Sequence, residues 1–248
     1  MCRIQRASLP PADVLSLAKR QRKADGQHAA GQLDVNATWR SSRKTRLLRR
    51  IHRTLCSMAG ARERCMYCLD SHGTDIEHFW PKAPYPGRMF HWENLLLCCA
   101  ECGRFKGDRF PLAANGTPLL LDPTVDDPWR HLDFDPLTGI VTAAFDAASM
   151  ARDRRGEETA ELLGLERREA LQVGHRRTWK RLANRVAAIL QSGNPTAAAL
   201  LTDLEADDEH GLLPWCFSAR GASVQPFADL VAQHPAVFAE CARLVKAP

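Results

Sequence analysis

The sequence contains two cysteine pairs with a Glu-His dipeptide between them. Side chains of these types at this spacing can bind metal ions and transfer protons. Cys65/Cys68 and Cys99/Cys102 both follow the pattern CxxC, and 30 residues separate the pairs. Four thiolates presented by two such turns are typical ligands of a tetrahedral Zn²⁺. Cys98 could replace Cys99 in this set, but the CxxC spacing favours Cys99. The pattern predicts a structural zinc site that contributes folding free energy to a small module.

Glu77 and His78 lie between the cysteine pairs, in the stretch IEHFWPK. A histidine can accept a proton from water near neutral pH, and a carboxylate oxygen suits Mg²⁺ or Mn²⁺. Taken alone, His78 would more often be a packed or surface histidine, and Glu77 a surface carboxylate on a strand edge. Between two predicted zinc-binding turns, the pair is a candidate site for a catalytic metal and an activated water, and the alternative is that it is only part of a zinc-stabilised scaffold.

The composition describes an ordinary globular protein. The chain has 248 residues, of which 45% are hydrophobic and 25% charged, and it lacks both a membrane-spanning apolar run and a recognisable secretory signal. We therefore expect a cytoplasmic protein with no membrane contact. Five of the nine cysteines are scattered, and in that compartment the two CxxC pairs formed by the other four indicate a metal site before disulfides. The net charge of +5 does not by itself indicate nucleic-acid binding.

The basic residues are concentrated before the first cysteine pair. The segment 41–58 contains no Gly or Pro, and Leu47, Ile51 and Leu55 form an apolar stripe typical of an amphipathic helix. Its other faces carry arginines, including Arg46 and Arg50. These faces could simply be solvated, or they could follow a phosphate backbone. The excess of arginine over lysine has a simpler explanation in genome composition.

The remaining elements complete a mainly helical α+β expectation. Strands are predicted at 74–79 and 92–97, a possible helix from 104, a hairpin at 131–144, a short helix around 160–165, and helices near 166–191, 196–206 and 227–246. The expected division of the chain is an N-terminal segment with the basic helix at 1–62, a cysteine module at 63–112, a hairpin extension at 113–150 and a helical region at 151–248.

The cysteine module resembles the HNH nucleases, whose ββα-metal fold places strand, loop, strand and helix beside a zinc site. Glu77-His78 followed by Pro81-Lys82 is similar to the family's first motif, and Asn94 in WENLLLCC stands at its middle asparagine. Over roughly residues 43 to 190 the chain looks like the HNH nuclease subunit of Septu-type and retron-associated bacterial anti-phage systems.

The resemblance implies a role for each matching residue. His78 matches the general base, Glu77 a ligand of a catalytic Mg²⁺ or Mn²⁺, and Asn94 the residue that fixes the loop. Asp75 is expected to be an additional metal ligand or a neighbour of one. Residues expected to contact nucleic-acid phosphates are Lys82, Arg104, Lys106, Arg46 and Arg50.

Gly103 departs from the family pattern. A histidine or asparagine normally follows the last zinc cysteine and completes the catalytic metal site, whereas glycine has no side chain to offer. A neighbour could replace it, water could fill the position, or the site could be inactive. The candidate neighbours are Asp75, Glu101, His91 and Asp108.

Three functions follow as expectations. The first is a metal-dependent DNA endonuclease, the effector subunit of an anti-phage complex with an ABC/SMC-like ATPase. The second is a zinc-stabilised DNA-binding or ATPase-docking subunit whose nuclease site has decayed. The third is an RNA or tRNA nuclease, since phosphate contacts carry no sequence information.

Overall fold

The computed structural model describes residues 1–193 and 195–246. It divides into two compact units, one formed by Arg3–Asp126 and the other by Met1–Cys2 with the chain from Asp127 onward. The structure is mainly helical with three two-stranded sheets in the described residues, so the expected mainly helical α+β class is confirmed. The four-part division of the chain stays a prediction.

Three helices begin the first unit: α1 (Pro11–Ala29), α2 (Val35–Ser42) and α3 (Arg46–Met58). The single helix expected over 41–58 is wrong at its start, because Thr45 begins a separate helix by accepting a hydrogen bond from the backbone N–H of Leu48. The buried face of α3 contains the expected stripe and two further residues, Leu47, Leu48, Ile51, Leu55 and Cys56.

Two short strands and a helix follow in the same unit. Strand β1 (Asp75–His78) pairs antiparallel with β2 (Leu95–Cys98), so that Glu77 lies opposite Leu96. Helix α4 (Ala100–Lys106) begins earlier than the sequence indicated, because the Cys99 thiol accepts a hydrogen bond from the backbone N–H of Cys102 and caps the helix. The second cysteine pair therefore forms the start of the helix that was expected only after it.

The second unit opens with the expected hairpin. Strand β3 (Leu132–Phe134) pairs with β4 (Val141–Ala143), and a smaller pair, β5 (Phe145–Asp146) with β6 (Ala151–Arg152), follows directly. The turn of the first hairpin includes Gly139 at φ +78°, where an added Cβ would lie 2.2 Å from the carbonyl oxygen of Gln172. Only glycine fits this close approach.

The rest of the second unit is helical. The helices are α5 (Arg154–Leu163), α6 (Glu169–Ser192), α7 (Ala197–Asp207), α8 (Leu213–Cys216), α9 (Phe227–Gln233) and α10 (Pro235–Lys246). The single helix expected over 227–246 is wrong, because Pro235 lacks a backbone N–H and disfavours helical geometry at His234, which has φ −138° and ψ 60°. Among the described residues, no helix combines the length and apolar character needed to cross a membrane.

Candidate metal centre and active site

Four cysteine sulfurs come together beside the β1–β2 pair. The Sγ atoms of Cys65, Cys68, Cys99 and Cys102 all lie within 4.8 Å of one another, and all four residues are buried. Tetrahedral zinc with Zn–S bonds of about 2.3 Å separates its sulfurs by about 3.8 Å, and the Cys68–Cys99 separation is 4.0 Å. The cluster could therefore hold a metal ion such as zinc.

Tight backbone turns present these sulfurs. The Cys65 backbone N–H donates to the carbonyl of Ser71, and the Leu69 N–H donates back to the carbonyl of Cys65. Leu69 adopts a positive φ of 56°, which closes the turn tightly. The Met66 N–H donates to the carbonyl of Leu97 and so joins this turn to β2. The first pair is thereby placed against the strand that leads to the second.

Hydrogen bonds among the thiols shift their pKa values in opposite directions. Bonds from neighbouring thiols, that of Cys102 first, lower the pKa of Cys65 and Cys99. The pKa of Cys102 is raised, first by its bond to Cys65 and then by its bond to Cys68. Such crowding of thiols favours a metal ion that binds them as thiolates.

Cys98 is a fifth sulfur at the edge of this cluster. Its Sγ lies 4.0 Å from that of Cys65, and its thiol donates to the carbonyl of Cys99. Hydrogen bonds to Cys65 and then Cys99 raise the pKa of Cys98, which keeps the thiol neutral. Cys98 therefore lies against the metal centre without belonging to the group of four.

Glu77 is held by a buried lysine on α4. The Nζ of Lys106 lies 2.9 Å from Oε1 of Glu77 and 2.8 Å from the carbonyl oxygen of His78. The lysine side chain is 0% exposed and the glutamate side chain 21%. Oε1 of Glu77 is thus occupied by an ammonium group, and an ion at this site would bind through the other oxygen.

The second carboxylate oxygen of Glu77 faces Gly103. A Cβ built on Gly103 would lie 3.8 Å from Oε2 of Glu77 and 3.9 Å from Sγ of Cys98. A side chain here would therefore make ordinary van der Waals contacts and point at the carboxylate. Gly103, the position at which the HNH pattern would have a metal ligand, therefore adjoins Oε2 of Glu77.

His78 lies at the end of β1 and is 4% exposed. Its Nε2 is 3.1 Å from the carbonyl oxygen of Met89, and the edge of its ring contacts Trp39 with 4.3 Å between centroids. Burial first, and then the positive charge of Lys82, lower the pKa of His78 to about 3. A neutral ring that donates through Nε2 leaves Nδ1 as a proton acceptor.

Asn94 fixes the loop that supplies the Met89 carbonyl. Its Oδ1 accepts from the backbone N–H of Trp80, and its Nδ2 donates to the carbonyls of Trp80 and Arg88. Asn94 itself is 3% exposed, while its partners Trp80 and Arg88 lie nearer the surface, so the three bonds are part-buried. Asn94 therefore joins both ends of the loop and places the carbonyl that orients His78.

The remaining predicted residues are dispersed around this unit. Asp75 forms an exposed ion pair of 2.8 Å with Arg43. Arg50 forms a bidentate pair with the buried carboxylate of Asp13, and hydrogen bonding to Arg50 lowers the pKa of Asp13. The other predicted phosphate contacts are half-buried Lys82 and exposed Arg104 and Arg46. Their roles stay predictions, and Arg50 has a structural partner.

The neighbours of Gly103 differ from those that the sequence suggested. Among the described residues, the four cysteines form the sole group of three or more His, Cys, Asp or Glu side chains close enough to share an ion. His91 and Asp108 are exposed. The side chains found at Gly103 are Glu77 and Cys98, and only Glu77 had been assigned to the catalytic metal.

Sequence reasoning missed the contact of Trp39 with His78 and gave Lys106 a different role. Trp39 on α2 packs against the His78 ring, and Lys106 neutralises Glu77 from α4. Lys106 had been predicted to contact nucleic-acid phosphates, whereas its buried ammonium group pairs with Glu77. No sequence signal pointed to Trp39, because its contact is created by the packing of α2 onto β1.

Comparison with known proteins gives two partial similarities. No family model matches the chain. It is 30% identical over 113 residues to the Septu protein PtuB of Bacillus thuringiensis, which covers 44% of this chain and 38% of that protein. It is 32% identical over 136 residues to the Septu protein PtuB of Bacillus mycoides (strain KBAB4), covering 43% and 44% respectively.

Since the matches cover 38% and 44% of the two relatives, the chain spans less than half the length of the curated relatives it matches. The similarities support an association of this chain with Septu-type proteins.

Proposed function

We propose that this chain is a metal-dependent endonuclease of the HNH type that hydrolyses DNA phosphodiester bonds. It would be the effector subunit of a Septu-type anti-phage system, with an ATPase as its partner. The observation that carries the proposal is the buried His78 ring, held through Nε2 by the carbonyl of Met89 and adjacent in β1 to Glu77. The order β1, loop, β2, α4 around a cysteine cluster supports the ββα-metal assignment.

The cysteine cluster would hold a structural Zn²⁺. The unit contains short strands of four residues each and a seven-residue helix, elements too small to be stable alone. Four thiolate bonds to one ion would fix β2 and the start of α4 against the first cysteine turn. This stabilises the frame that carries Glu77 and His78.

The residues of β1 would divide the work of hydrolysis. His78 Nδ1 takes the proton of the attacking water as the new P–O bond forms, and the bond from phosphorus to the 3′ oxygen breaks. Glu77 Oε2 would hold Mg²⁺ or Mn²⁺, with Asp75 as a further or neighbouring ligand, and the ion would supply charge stabilisation at the leaving oxygen. One or two carboxylates with several waters is a usual protein environment for Mg²⁺.

Burial sets a condition on this mechanism. His78 is 4% exposed, and its depressed pKa makes it a weak base while the site is closed. Entry of water and a bound substrate phosphate would restore polar surroundings and raise the pKa of the imidazole. The binding of nucleic acid would then be coupled to activation of the base.

The deciding experiment compares single histidine variants. The full chain, alone and in complex with its ATPase partner, is incubated with supercoiled plasmid and with RNA in Mg²⁺ or Mn²⁺. We expect nicking or cutting of DNA by the wild type and by His91→Ala, an exposed histidine, and loss of cutting in His78→Ala. Equal cutting by His78→Ala and wild type would refute the mechanism. Cleavage of RNA without cleavage of DNA would show that the substrate is RNA.

A second candidate function is supported by Gly103 and Lys106. The missing side chain at Gly103 and the ammonium group on Glu77 both weaken divalent-ion binding. The chain would then be a zinc-stabilised DNA-binding or ATPase-docking subunit. One tightly bound Zn²⁺ per chain, with no second site in millimolar Mg²⁺ and no cleavage, would favour this alternative.

A further inference from the structure

A groove of about 330 Å³ lies in the first unit between helices α2 and α3 and strand β1. The apolar part of its lining consists of Trp39, Leu48 and Ile76, and the polar part includes Arg43, Arg49, His52, Arg53, Thr74 and Asp75. The volume falls at the lower end of the range of about 300–1,000 Å³ that is typical of small-ligand sites. The groove is therefore large enough for a ligand such as one nucleotide.

The charges of the groove favour an anion. Three guanidinium groups line it against a single carboxylate, and that carboxylate, Asp75, is paired with Arg43 at 2.8 Å. In the described parts of the chain no carboxylate pairs with Arg49 or Arg53. These two lie four residues apart on α3, where like charges destabilise a helix by about 0.2–0.5 kcal/mol. A bound anion would remove this repulsion.

His52 adds a polar atom that lacks a partner. Its Nδ1 lies 3.6 Å from Sγ of Cys56, whereas its Nε2 is buried without any hydrogen-bond partner in the described structure. A buried polar atom left unsatisfied destabilises the folded state. Because Nε2 is inaccessible to solvent, a phosphate oxygen in the groove accepts its hydrogen bond only when the imidazole ring turns towards the ligand.

The apolar wall connects the groove to the candidate active site. Trp39 lines the groove and also contacts the ring of His78, and Ile76 lies two residues before His78 in β1. A ligand carrying both an anionic and an apolar part would match this lining. Nucleotides have that combination, since a charged phosphate is joined through the sugar to a base whose flat aromatic faces pack against apolar side chains.

We propose that this groove is a binding site for a nucleoside phosphate, either free or as one unit of a nucleic-acid strand. Arg49, Arg53 and His52 bind the phosphate, and Trp39, Leu48 and Ile76 contact the sugar or base. The site is independent of phosphodiester cleavage, so it can exist whether or not the chain is an active nuclease. A ligand bound against Trp39 would affect the position of His78, because the two rings are in direct contact.

Calorimetry on the full zinc-loaded chain without Mg²⁺ tests the site. The probes are AMP, adenosine, inorganic phosphate and a single-stranded DNA oligonucleotide. The groove variant is Arg49→Gln/Arg53→Gln, and the matched control is Arg22→Gln/Lys23→Gln, which removes two exposed charges from α1. His52→Gln is the third variant, and circular dichroism verifies that each is folded.

We expect AMP or the oligonucleotide to bind the wild type and the control alike. The groove variant should lose about tenfold or more in affinity, because it removes the charge-assisted hydrogen bonds of two guanidinium groups to the phosphate. Loss for AMP identifies a free nucleotide as ligand, and loss for the oligonucleotide alone identifies a unit of a strand. Adenosine binding as tightly as AMP, equal losses in groove and control variants, or binding to none of the probes would overturn the proposal.

Discussion

The ammonium group of Lys106 lies 2.9 Å from Oε1 of Glu77, with the lysine side chain 0% and the glutamate 21% exposed. A charge removed from water costs several kcal/mol unless it is paired. The lysine therefore depends on the glutamate more than the glutamate depends on the lysine. The pair joins α4 to β1 and sets which oxygen of Glu77 remains open.

This asymmetry predicts unequal effects of the two single substitutions. Glu77→Gln leaves the ammonium of Lys106 buried without a counter-charge and should lower the free energy of unfolding by about 3–5 kcal/mol. Lys106→Met leaves a carboxylate that water can reach and should lower it by about 1–2 kcal/mol. Urea unfolding of both single variants and the double variant measures the coupling. A larger loss in Lys106→Met would contradict the asymmetry.

The proposed zinc site predicts which cysteine variants retain the ion. Cys99→Ser and Cys102→Ser should lose the single bound Zn²⁺ and unfold at lower temperature, because structural zinc contributes folding free energy directly. Cys98→Ser and Cys2→Ser should keep it. Elemental analysis of the purified variants and thermal unfolding give the result. Retention of zinc in Cys99→Ser together with its loss in Cys98→Ser would show that Cys98, and not Cys99, is the zinc ligand.

The Asn94 clamp predicts a local loss of order. Asn94→Ala removes three part-buried bonds to the backbone of Trp80 and Arg88. It should lower the free energy of unfolding by about 2–4 kcal/mol, because each hydrogen bond contributes about 0.5–1.5 kcal/mol. Hydrogen exchange at the Trp80 N–H should accelerate. Asn36→Ala, an exposed site on α2, should change stability by less than about 0.5 kcal/mol. An unchanged exchange rate at Trp80 would refute the clamp.

Two buried histidines predict how stability depends on pH. Burial, as the largest cause, lowers the pKa of His78 and of His175 to about 3, against a usual 6.5. Between these values the unfolded chain binds protons that the folded chain does not, so stability falls as the pH drops from about 6.5 towards 3. Imidazole NMR signals of both residues should stay in the neutral form from pH 8 to pH 5.

The denatured chain supplies the control for this titration. In concentrated urea both imidazoles should titrate near the usual value of about 6.5. A midpoint near that value for His78 in the folded protein would show that its ring is not desolvated.

Gly103 predicts separate effects on stability and metal binding. Gly103→Ala should raise the free energy of unfolding by about 0.5–1 kcal/mol, since the position is helical and a Cβ meets its neighbours at 3.8 and 3.9 Å. Gly103→Asn places an amide beside Oε2 of Glu77 and should increase Mn²⁺ affinity, as measured by calorimetry. The alanine variant is the matched control, and equal Mn²⁺ affinity in both would show that the position does not limit metal binding.

Patterns that depend on near neighbours in the chain were readable from the sequence. The two CxxC turns, the apolar stripe of α3 and the hairpin of β3 and β4 all appear at the expected places. The start of α3 and the break at Pro235 were missed, although local signals existed in Thr45 as a cap and in the proline itself. These errors concern element boundaries rather than the kind of element.

What the sequence by itself determined is the set of groups available: four cysteines in two turns, a Glu-His pair between them, and a glycine where a ligand is expected. Tertiary structure alone decided their environment. Lys106 reaches Glu77 across 29 positions, and Trp39 reaches His78 through the packing of α2 onto β1. Charge pairing and desolvation depend on distances in space between residues far apart in the chain, and local sequence patterns do not encode those distances.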